Sequence, residues 1–284
     1  MPEVKSKRQT VDVPQVLFGG LIQQVVRAEI VPTEAGVVVG AEELAQQARL
    51  LGLRVHVYVA SGSKVLAGKR VALVTGNPVQ VVRGEDILLG IISKVSGVAT
   101  AAREAVKKAG SVKVVCGGWK KMPLELKQEL RMAIKMGGAY TRICAEPFVY
   151  LDKNYVRIFG SVPKAIDRAR LLPGRAIVIQ LRGDTAPIEE EAVIAAGLSS
   201  QVIMVDTGNI DDLRSVSKAL HQSGLRKQVQ LAFAGGINLH DLENLCNEDL
   251  DVVDIGRAIL DAPLLDFRYN IVRMDIKNDG VKAL

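Results

Sequence analysis

The stretch that decides the fold is VQLAFAGGINLHDLENL, Val229 to Leu245. It begins with a nearly continuous apolar run of strand length, passes through two glycines, and continues with apolar residues at helical spacing. A strand that is apolar almost throughout is typical of a parallel sheet whose two faces are both covered. This stretch therefore predicts one strand–loop–helix unit of an α/β domain.

The same unit recurs along the chain from Val112 onward. Six strands alternating with helices predict an open, incomplete β/α barrel, and an open doubly wound sheet is the alternative. The predicted strands are Val112–Cys116, Phe148–Leu151, Ala176–Leu181, Val202–Val205, Val229–Phe233 and Val252–Ile255. The predicted helices are Leu124–Met136, Val162–Ala169, Glu189–Ala196, Ile210–His221 and Leu239–Leu245.

The part of the chain before this barrel has a different pattern, typical of a smaller mixed α/β unit. A helix is predicted at Ala41–Leu51, and strands at Val55–Ala60, Lys69–Thr75 and Pro78–Val82. A long apolar helix, Glu85–Ala109, follows and carries an interruption at Ser96-Gly97. The predicted domains are residues 1–109 with this linking helix, the barrel at 110–265, and a C-terminal segment, 266–284, that returns to the first domain.

Composition narrows the possible functions. Of 284 residues, 48% are hydrophobic and the formal net charge is +6, but Lys and Arg are scattered, which favours phosphorylated small molecules over nucleic acid. Three cysteines without a Cys-x-x-Cys pair argue against a disulfide framework and a structural metal site. We expect a cytoplasmic protein without a membrane partner, since the polar N-terminus has no signal-peptide core and no apolar run reaches membrane-spanning length.

The carboxyl ends of the strands are where a β/α barrel carries its active site. Two consecutive late loops are rich in glycine: Gly235, Gly236 and Asn238 follow the fifth strand, and Gly256 follows the sixth. Glycine lets the backbone approach a ligand, and a helix that begins there presents free N–H groups. We predict a phosphate site at these loops, and the alternative is that the glycines only make tight turns.

Three residues after earlier strands are further candidates. Lys120 offers a positive charge for a phosphate or is a solvated loop lysine. Asp206 offers a carboxylate for ribose hydroxyls, a metal or developing positive charge, or it caps the next helix, which Asn209 could do equally well. Trp119 is either a flat platform for an aromatic ring or a plug at the barrel mouth.

Several motifs occur together and in order over residues 26–266. They are AEIVPTEAGVVVGAEELAQQARLLGLRV and VVRGEDILLGIISKVSGVAT near the start, the loop with Lys120 and Pro123, then GGAYTR, VDTGN and AGGIN. Together they resemble the quinolinate phosphoribosyltransferase family, the nicotinate-nucleotide pyrophosphorylases of NAD biosynthesis. The resemblance implies an N-terminal α/β sandwich, an open type II phosphoribosyltransferase-like barrel and a homodimer or higher homo-oligomer. It also implies phosphoribosyl pyrophosphate with Mg²⁺, an aromatic nitrogen heterocycle as acceptor, and release of pyrophosphate and CO₂.

More residues of this chain match the family's residues at the phosphate-binding part of the site than at the acceptor-binding part. Lys120 falls at the lysine of the family's Asp-Thr-Arg-Lys-Thr motif, and Asp206 falls at a strand-end aspartate; these two are the predicted catalytic residues. The predicted phosphate ligands are Gly235, Gly236 and Gly256 with Asn238, and Arg142 matches the arginine of a His-Arg pair. The departures are Trp119 at the motif arginine, Thr141 at the histidine, Asp86 at an arginine that reaches across the dimer, Asp152 at a lysine with Lys153 beside it, and Arg182 at a ribose-binding glutamate.

These departures change the charge expected around the acceptor. Trp119, Asp86 and Asp152 replace three cations and add two anions, and one screened pair at 4 Å is worth about 4 kcal/mol. A dianion such as quinolinate is therefore disfavoured, and a neutral or cationic ring stacked on Trp119 fits better. Three functions stay open: a phosphoribosyltransferase of the quinolinate family that acts on quinolinate or on another nitrogen heterocycle, a nucleotide- or sugar-phosphate-binding barrel with a different reaction, and a non-catalytic family member.

Overall fold

The computed structural model describes residues 11–275 of the chain, so residues 1–10 and 276–284, the latter being the end of the predicted C-terminal segment, lie outside the described part. The described chain divides into two compact units, one of residues 11–97 with 264–275 and the other of residues 98–263. The division falls inside the long helix, after Gly97, whereas the sequence placed the whole helix with the first domain.

The strands and helices run in the following order along the chain. The strands are β1 (Val25–Pro32), β2 (Gly36–Val37), β3 (Arg54–Val57), β4 (Lys64–Val65), β5 (Ala72–Gly76), β6 (Lys113–Val115), β7 (Phe148–Leu151), β8 (Ala176–Leu181), β9 (Val202–Asp206), β10 (Gln230–Ala234), β11 (Val252–Asp254) and β12 (Phe267–Asp275). The helices are α1 (Val13–Phe18), α2 (Ala41–Leu50), α3 (Pro78–Lys108), α4 (Leu124–Gly137), α5 (Lys153–Phe159), α6 (Val162–Ala169), α7 (Ile188–Gly197), α8 (Ile210–Gln222), α9 (Leu242–Leu245) and α10 (Arg257–Leu260).

The first unit is built on an antiparallel sheet in the order β12-β1-β5-β3, beside a small β2–β4 ribbon. Along β1, Val26, Ala28 and Ile30 are buried while the residues between them are partly exposed, which is the alternation of a sheet with one covered face. Leu44 of α2 and Leu88 of α3 belong to the same buried cluster. The C-terminal strand β12 pairs antiparallel with β1 over its whole length.

Two expectations for the first unit were wrong at the long helix. Pro78–Val82 is not a strand but the first turn of α3, because Asn77 and Gln80 cap it reciprocally: each backbone N–H donates to the other's side-chain oxygen, at 3.0 Å and 2.9 Å. Ser96-Gly97 does not interrupt the helix. Ser96 is buried, and its hydroxyl accepts a 2.9 Å hydrogen bond from the N–H of Val39, so small residues here allow close packing.

The second unit is a parallel sheet in the order β6-β11-β10-β9-β8-β7, with helices between successive strands. β6 and β7 are its edge strands, and a parallel bridge between Val115 and Tyr140 lies on the outer side of β6. Val178, Met204 and Ala232 belong to one buried cluster that fills the interior. The predicted fold class, α/β with an N-terminal α/β sandwich and an open β/α barrel, is confirmed: the first unit is built on an antiparallel sheet and the second on a parallel one.

The six predicted barrel strands match the structure to within one or two residues. The weakest agreement is at the late helices, since Leu239–Leu245 is helical only over α9 and the preceding residues form turns. The sequence reading missed the short helices α5 and α10. Within residues 11–275, no helix combines the length and apolar character that a membrane span requires.

Candidate active site

The carboxyl end of the barrel brings Asp206 into contact with two residues of β8 and the loop after it. The Nε2 of Gln180 donates a hydrogen bond to Oδ2 of Asp206, and Nη1 of Arg182 lies 3.9 Å from the same oxygen. The helix that follows β9 is capped by Asn209, whose side chain accepts from the N–H of Asp211 at 3.1 Å. Asp206 is therefore not the helix cap, and its carboxylate, 21% exposed, faces the mouth of the barrel.

A second carboxylate, which the sequence reading missed, stands at the end of β11. Oδ1 of Asp254 accepts a hydrogen bond from the N–H of Gly117 at 3.0 Å. Burial raises the pKa of Asp254, and the charge of Asp206 raises it further, while the Gly117 hydrogen bond and the charges of Lys120 and Lys121 oppose the shift. Two carboxylates and Lys120 therefore share one electrostatic environment.

Tyr150 of β7 lies among these charges and was also missed. Its hydroxyl donates to Sδ of Met204 at 3.1 Å, and Nζ of Lys120 lies 5.2 Å from the centre of its ring. Burial raises the pKa of Tyr150, and Asp254, Asp206 and Asp152, in that order, raise it further, so the phenol is neutral. Tyr150 lies inside the partly buried edge strand β7, and the sequence pattern of that strand did not indicate a site.

The loop after β6 forms a short 3-10 turn, Gly118–Lys121, that presents Trp119 and the exposed Lys120. Nε1 of Trp119 donates to the carbonyl of Thr141 at 3.0 Å. A Cβ added to Gly118 would come within 3.0 Å of the Cα of Gly256, so glycine is needed where the loops after β6 and β11 touch.

The predicted phosphate loop after β10 has a geometry that differs from the expectation. Gly235 and Gly236 have φ values of +114° and +83°, and the N–H of Gly208 donates to the carbonyl of Ala234 at 2.9 Å. The N–H of Asn238 donates a hydrogen bond to Oδ2 of Asp241 at 2.8 Å and so already has a partner within the protein. No long helix begins here: α9 and α10 have four residues each, so helix N-termini do not supply the binding groups, and any phosphate contacts come from the turns.

The predicted acceptor residues fall into three places. Asp152 caps α5 by accepting from the N–H groups of Asn154 and Tyr155, at 2.8 Å and 3.2 Å, which explains its position without a substrate. Lys153 donates its backbone N–H to Oε1 of Gln180 at 3.1 Å.

The other two predicted acceptor residues lie away from α5. Arg142 is exposed, with its guanidinium carbon 5.2 Å from the ring centre of Phe148. Asp86 is exposed on α3 within the first unit.

A large cavity, about 1010 Å³, lies at the opposite end of the barrel, where β8, β9 and β10 begin. Arg226, one of its lining residues, is almost buried and pairs with Asp249 at 2.8 Å and Asp251 at 3.1 Å. Because these charges neutralise one another, this end is held by an internal ion-pair network, and the candidate site stays at the carboxyl ends.

Comparison with known proteins agrees with this architecture. The sequence of the second unit matches the family model "Quinolinate phosphoribosyl transferase, C-terminal domain" over residues 98–270, and residues 10–96 match the corresponding N-terminal domain. The chain belongs to the quinolinate phosphoribosyl transferase family. As a member it is a phosphoribosyltransferase, a pentosyl-transferring enzyme that acts on small molecules.

Relatives and solved structures extend the likeness over most of the chain. A probable nicotinate-nucleotide pyrophosphorylase [carboxylating] of Methanothermobacter thermautotrophicus is 24% identical over 86% of this chain and 88% of its own. The human nicotinate-nucleotide pyrophosphorylase [carboxylating] is 27% identical over 80% and 75%. The crystal structure of the nicotinate-nucleotide pyrophosphorylase from Pyrococcus furiosus superposes with a TM-score of 0.79 at 22% identity, covering 93% of this chain and 73% of that one, and shows the common fold.

Proposed function

We propose that this protein transfers the phosphoribosyl group of phosphoribosyl pyrophosphate to a ring nitrogen of an aromatic heterocycle, with quinolinate itself a poor acceptor. The observation that carries the proposal is that Lys120 lies over the ring of the half-buried Tyr150, whose phenol also feels the charges of Asp254 and Asp206, at the carboxyl end of the barrel. The family membership and the pyrophosphorylase names of the relatives support the same reaction class.

The reaction breaks the bond between ribose C1 and the pyrophosphate oxygen, and the electron pair leaves with pyrophosphate. The acceptor nitrogen then forms the new bond to C1 with its lone pair. Because positive charge develops on the ribose and negative charge on the leaving group, catalysis is mainly electrostatic and positional. Asp206 is suited to the ribose side and Lys120 to the pyrophosphate side, while the Gly235–Gly236 turn allows close backbone approach to the 5-phosphate.

Mg²⁺ is part of the proposal as the companion of pyrophosphate. Asp206 and Asp254 offer hard oxygen ligands, but within residues 11–275 no group of three or more His, Cys, Asp or Glu side chains could hold a metal. Mg²⁺ that enters with substrate phosphates commonly takes one or two carboxylates and keeps several waters, so Asp206 and Asp254 are the side chains that would meet it. The bound ion would neutralise charge on the leaving pyrophosphate.

The acceptor side is proposed to disfavour a dicarboxylate. Trp119 stands at the family's motif arginine and Asp152 at its lysine. Asp152 is tied to the cap of α5, so its negative charge is a fixed part of the loop. We also expect a homodimer or higher homo-oligomer, which sedimentation equilibrium would measure.

Arg182 favours an alternative reaction. Its guanidinium lies 3.9 Å from Asp206 and partly neutralises the carboxylate that would stabilise a ribosyl cation. In that alternative the barrel binds a sugar phosphate or nucleotide without transferring ribose. Binding of ribose 5-phosphate without pyrophosphate release from any acceptor would favour it.

The test is pyrophosphate release from phosphoribosyl pyrophosphate and Mg²⁺ with a panel of heterocycles that differ in charge. We expect release that depends on the acceptor, is slower with quinolinate than with less charged rings, and falls by about 10²-fold or more in Asp206→Asn. Absence of release with every acceptor, or full activity of Asp206→Asn, would contradict the proposal.

A further inference from the structure

Arg131 of α4 carries a guanidinium that the described chain leaves without an anion. Its carbon Cζ lies 4.8 Å from the centre of the Trp119 ring. Its Nε is buried and has no hydrogen-bond partner, and no ion pair of Arg131 occurs within residues 11–275. Several other arginines of this unit do form ion pairs, as Arg214 does with Glu248 at 2.7 Å and Arg226 with Asp249 at 2.8 Å.

Trp119 is held by a hydrogen bond, and the end of α4, the helix that carries Arg131, packs tightly. The indole N–H of Trp119 is fixed on the carbonyl of Thr141 at 3.0 Å. The end of α4 packs tightly, since a Cβ on Gly137 would lie 2.5 Å from the carbonyl oxygen of Ala99. Arg103 also donates to the carbonyl of Gly137 at 2.8 Å. The indole of Trp119 and the backbone of α4 are therefore pre-organised, which lowers the cost of binding a ligand.

The acids at the barrel mouth are engaged elsewhere and do not neutralise Arg131. Asp152 caps α5, Asp254 accepts from Gly117, and Asp206 contacts Gln180 and Arg182. A partly desolvated guanidinium without an anion raises the free energy of the folded protein, and an anionic ligand would supply the missing partner. Its planar fork matches one carboxylate with two parallel hydrogen bonds.

The position of Arg131 revises the charge expected for the acceptor pocket. Trp119 stands where the resemblance places a motif arginine, and the structure brings a guanidinium to that same residue from α4. Arg142 is already bonded to the carbonyl of Glu146 at 3.4 Å. A guanidinium beside Trp119 thus adds to the two that the sequence had already indicated, the exposed Arg142 and Arg182, which pairs with Asp206. This favours a monoanion over a neutral or cationic ring.

We propose that Arg131, stacked on Trp119, is a specificity-determining residue that selects an acceptor ring carrying a single carboxylate. This inference rests on the proposed phosphoribosyl transfer and names its acceptor class. The ring lies against the wall formed by Trp119 and Arg131, and the carboxylate binds the fork of Arg131.

The experiment measures binding of three probes to the full chain by calorimetry: pyridine-3-carboxylate, its carboxamide, and pyridine-2,3-dicarboxylate. We expect the monocarboxylate to bind about tenfold or more tightly than either of the others, as one charge-assisted contact implies. Arg131→Gln should remove that advantage and leave carboxamide affinity unchanged, whereas Arg131→Lys should keep part of it. Lys135→Gln, a loss of one exposed charge one turn along α4, is the matched control and should change no affinity.

The outcomes separate this inference from the proposed reaction. Equal affinity of wild type and Arg131→Gln for the monocarboxylate, in variants whose thermal unfolding matches, would overturn the role of Arg131. An equal loss in Lys135→Gln would also overturn it, because the effect would then be long-range charge. Arg131-dependent carboxylate binding without pyrophosphate release from any acceptor would refute the transfer reaction and retain the Arg131 assignment.

Discussion

Replacing each glycine of the Gly235–Gly236 turn in a separate variant should distinguish the contribution of the turn to stability from its contribution to ligand binding. Both residues have positive φ, at +114° and +83°. A Cβ at position 235 would lie 2.3 Å from the backbone N of Gly208 and 2.7 Å from the carbonyl carbon of Thr207. A Cβ at position 236 would meet nothing within 4 Å.

The cost of each substitution follows from these contacts. Alanine in the left-handed region costs about 1–2 kcal/mol at either position. At Gly235 the clash is with backbone, so the two loops must separate, which adds about 1–3 kcal/mol. Gly235→Ala should therefore lower the free energy of unfolding by about 2–5 kcal/mol, and Gly236→Ala by about 1–2 kcal/mol.

Binding should show a different order. If the open space at Gly236 receives the 5-phosphate, the new methyl group displaces a backbone contact to an anion, and affinity for phosphoribosyl pyrophosphate falls by about 10- to 150-fold. Urea unfolding measures the first quantity and calorimetric titration the second. Equal stabilities of the two variants would refute the backbone-clash reasoning, and full affinity in Gly236→Ala would refute the phosphate turn.

Two further substitutions test the electrostatics. Burial works against ionisation of Asp249, but hydrogen bonds from Arg226 and Ser217 outweigh it and lower the pKa of Asp249 to about 2. The ionised carboxylate therefore stabilises the folded protein above about pH 4, and this contribution is lost as the pH falls toward 2. Asp249→Asn should lower the free energy of unfolding by about 1 kcal/mol at pH 7, a small value because the side chain is 44% exposed to solvent. Urea unfolding at pH 3 should show a smaller difference between variant and wild type. A difference as large at pH 3 as at pH 7 would contradict the ion pair as its cause. Burial raises the pKa of Asp254, so the penalty of its charge is absent below its unfolded pKa and grows as pH rises. Asp254→Asn should accordingly raise the Tm at pH 7 by about 2–4 °C and leave it unchanged near pH 3; a lower Tm at pH 7 would show that the carboxylate is not destabilising.

The barrel was predictable from sequence because its strands are short apolar runs bounded by glycine and polar loops. The helices α5 and α10 were not, and the helix predicted at Leu239–Leu245 formed only over α9, since four to seven residues show too little periodicity. Pro78–Val82 was misread as a strand because its β-branched residues suit one, while the cap from Asn77 and Gln80 decides for helix.

The candidate site was predictable where chemistry-bearing residues follow a strand, as with Lys120 and Asp206. Tyr150 lies within the partly buried strand β7 and Asp254 at the end of β11, and only the register shows that they face inward. Arg131 lies in an amphipathic helix, where its contact with Trp119 depends on tertiary packing. The choice between Asp206 and Asn209 as helix cap likewise needed the backbone.

The most direct test of the central claim, that the carboxyl end of the barrel binds phosphoribosyl pyrophosphate, is a crystal structure with that ligand and Mg²⁺. We predict pyrophosphate oxygens at about 3 Å from Nζ of Lys120, ribose beside Asp206 and the 5-phosphate at the Gly235–Gly236 turn. Ligand density in the cavity at the amino end of the strands, with none near Lys120, would contradict the account.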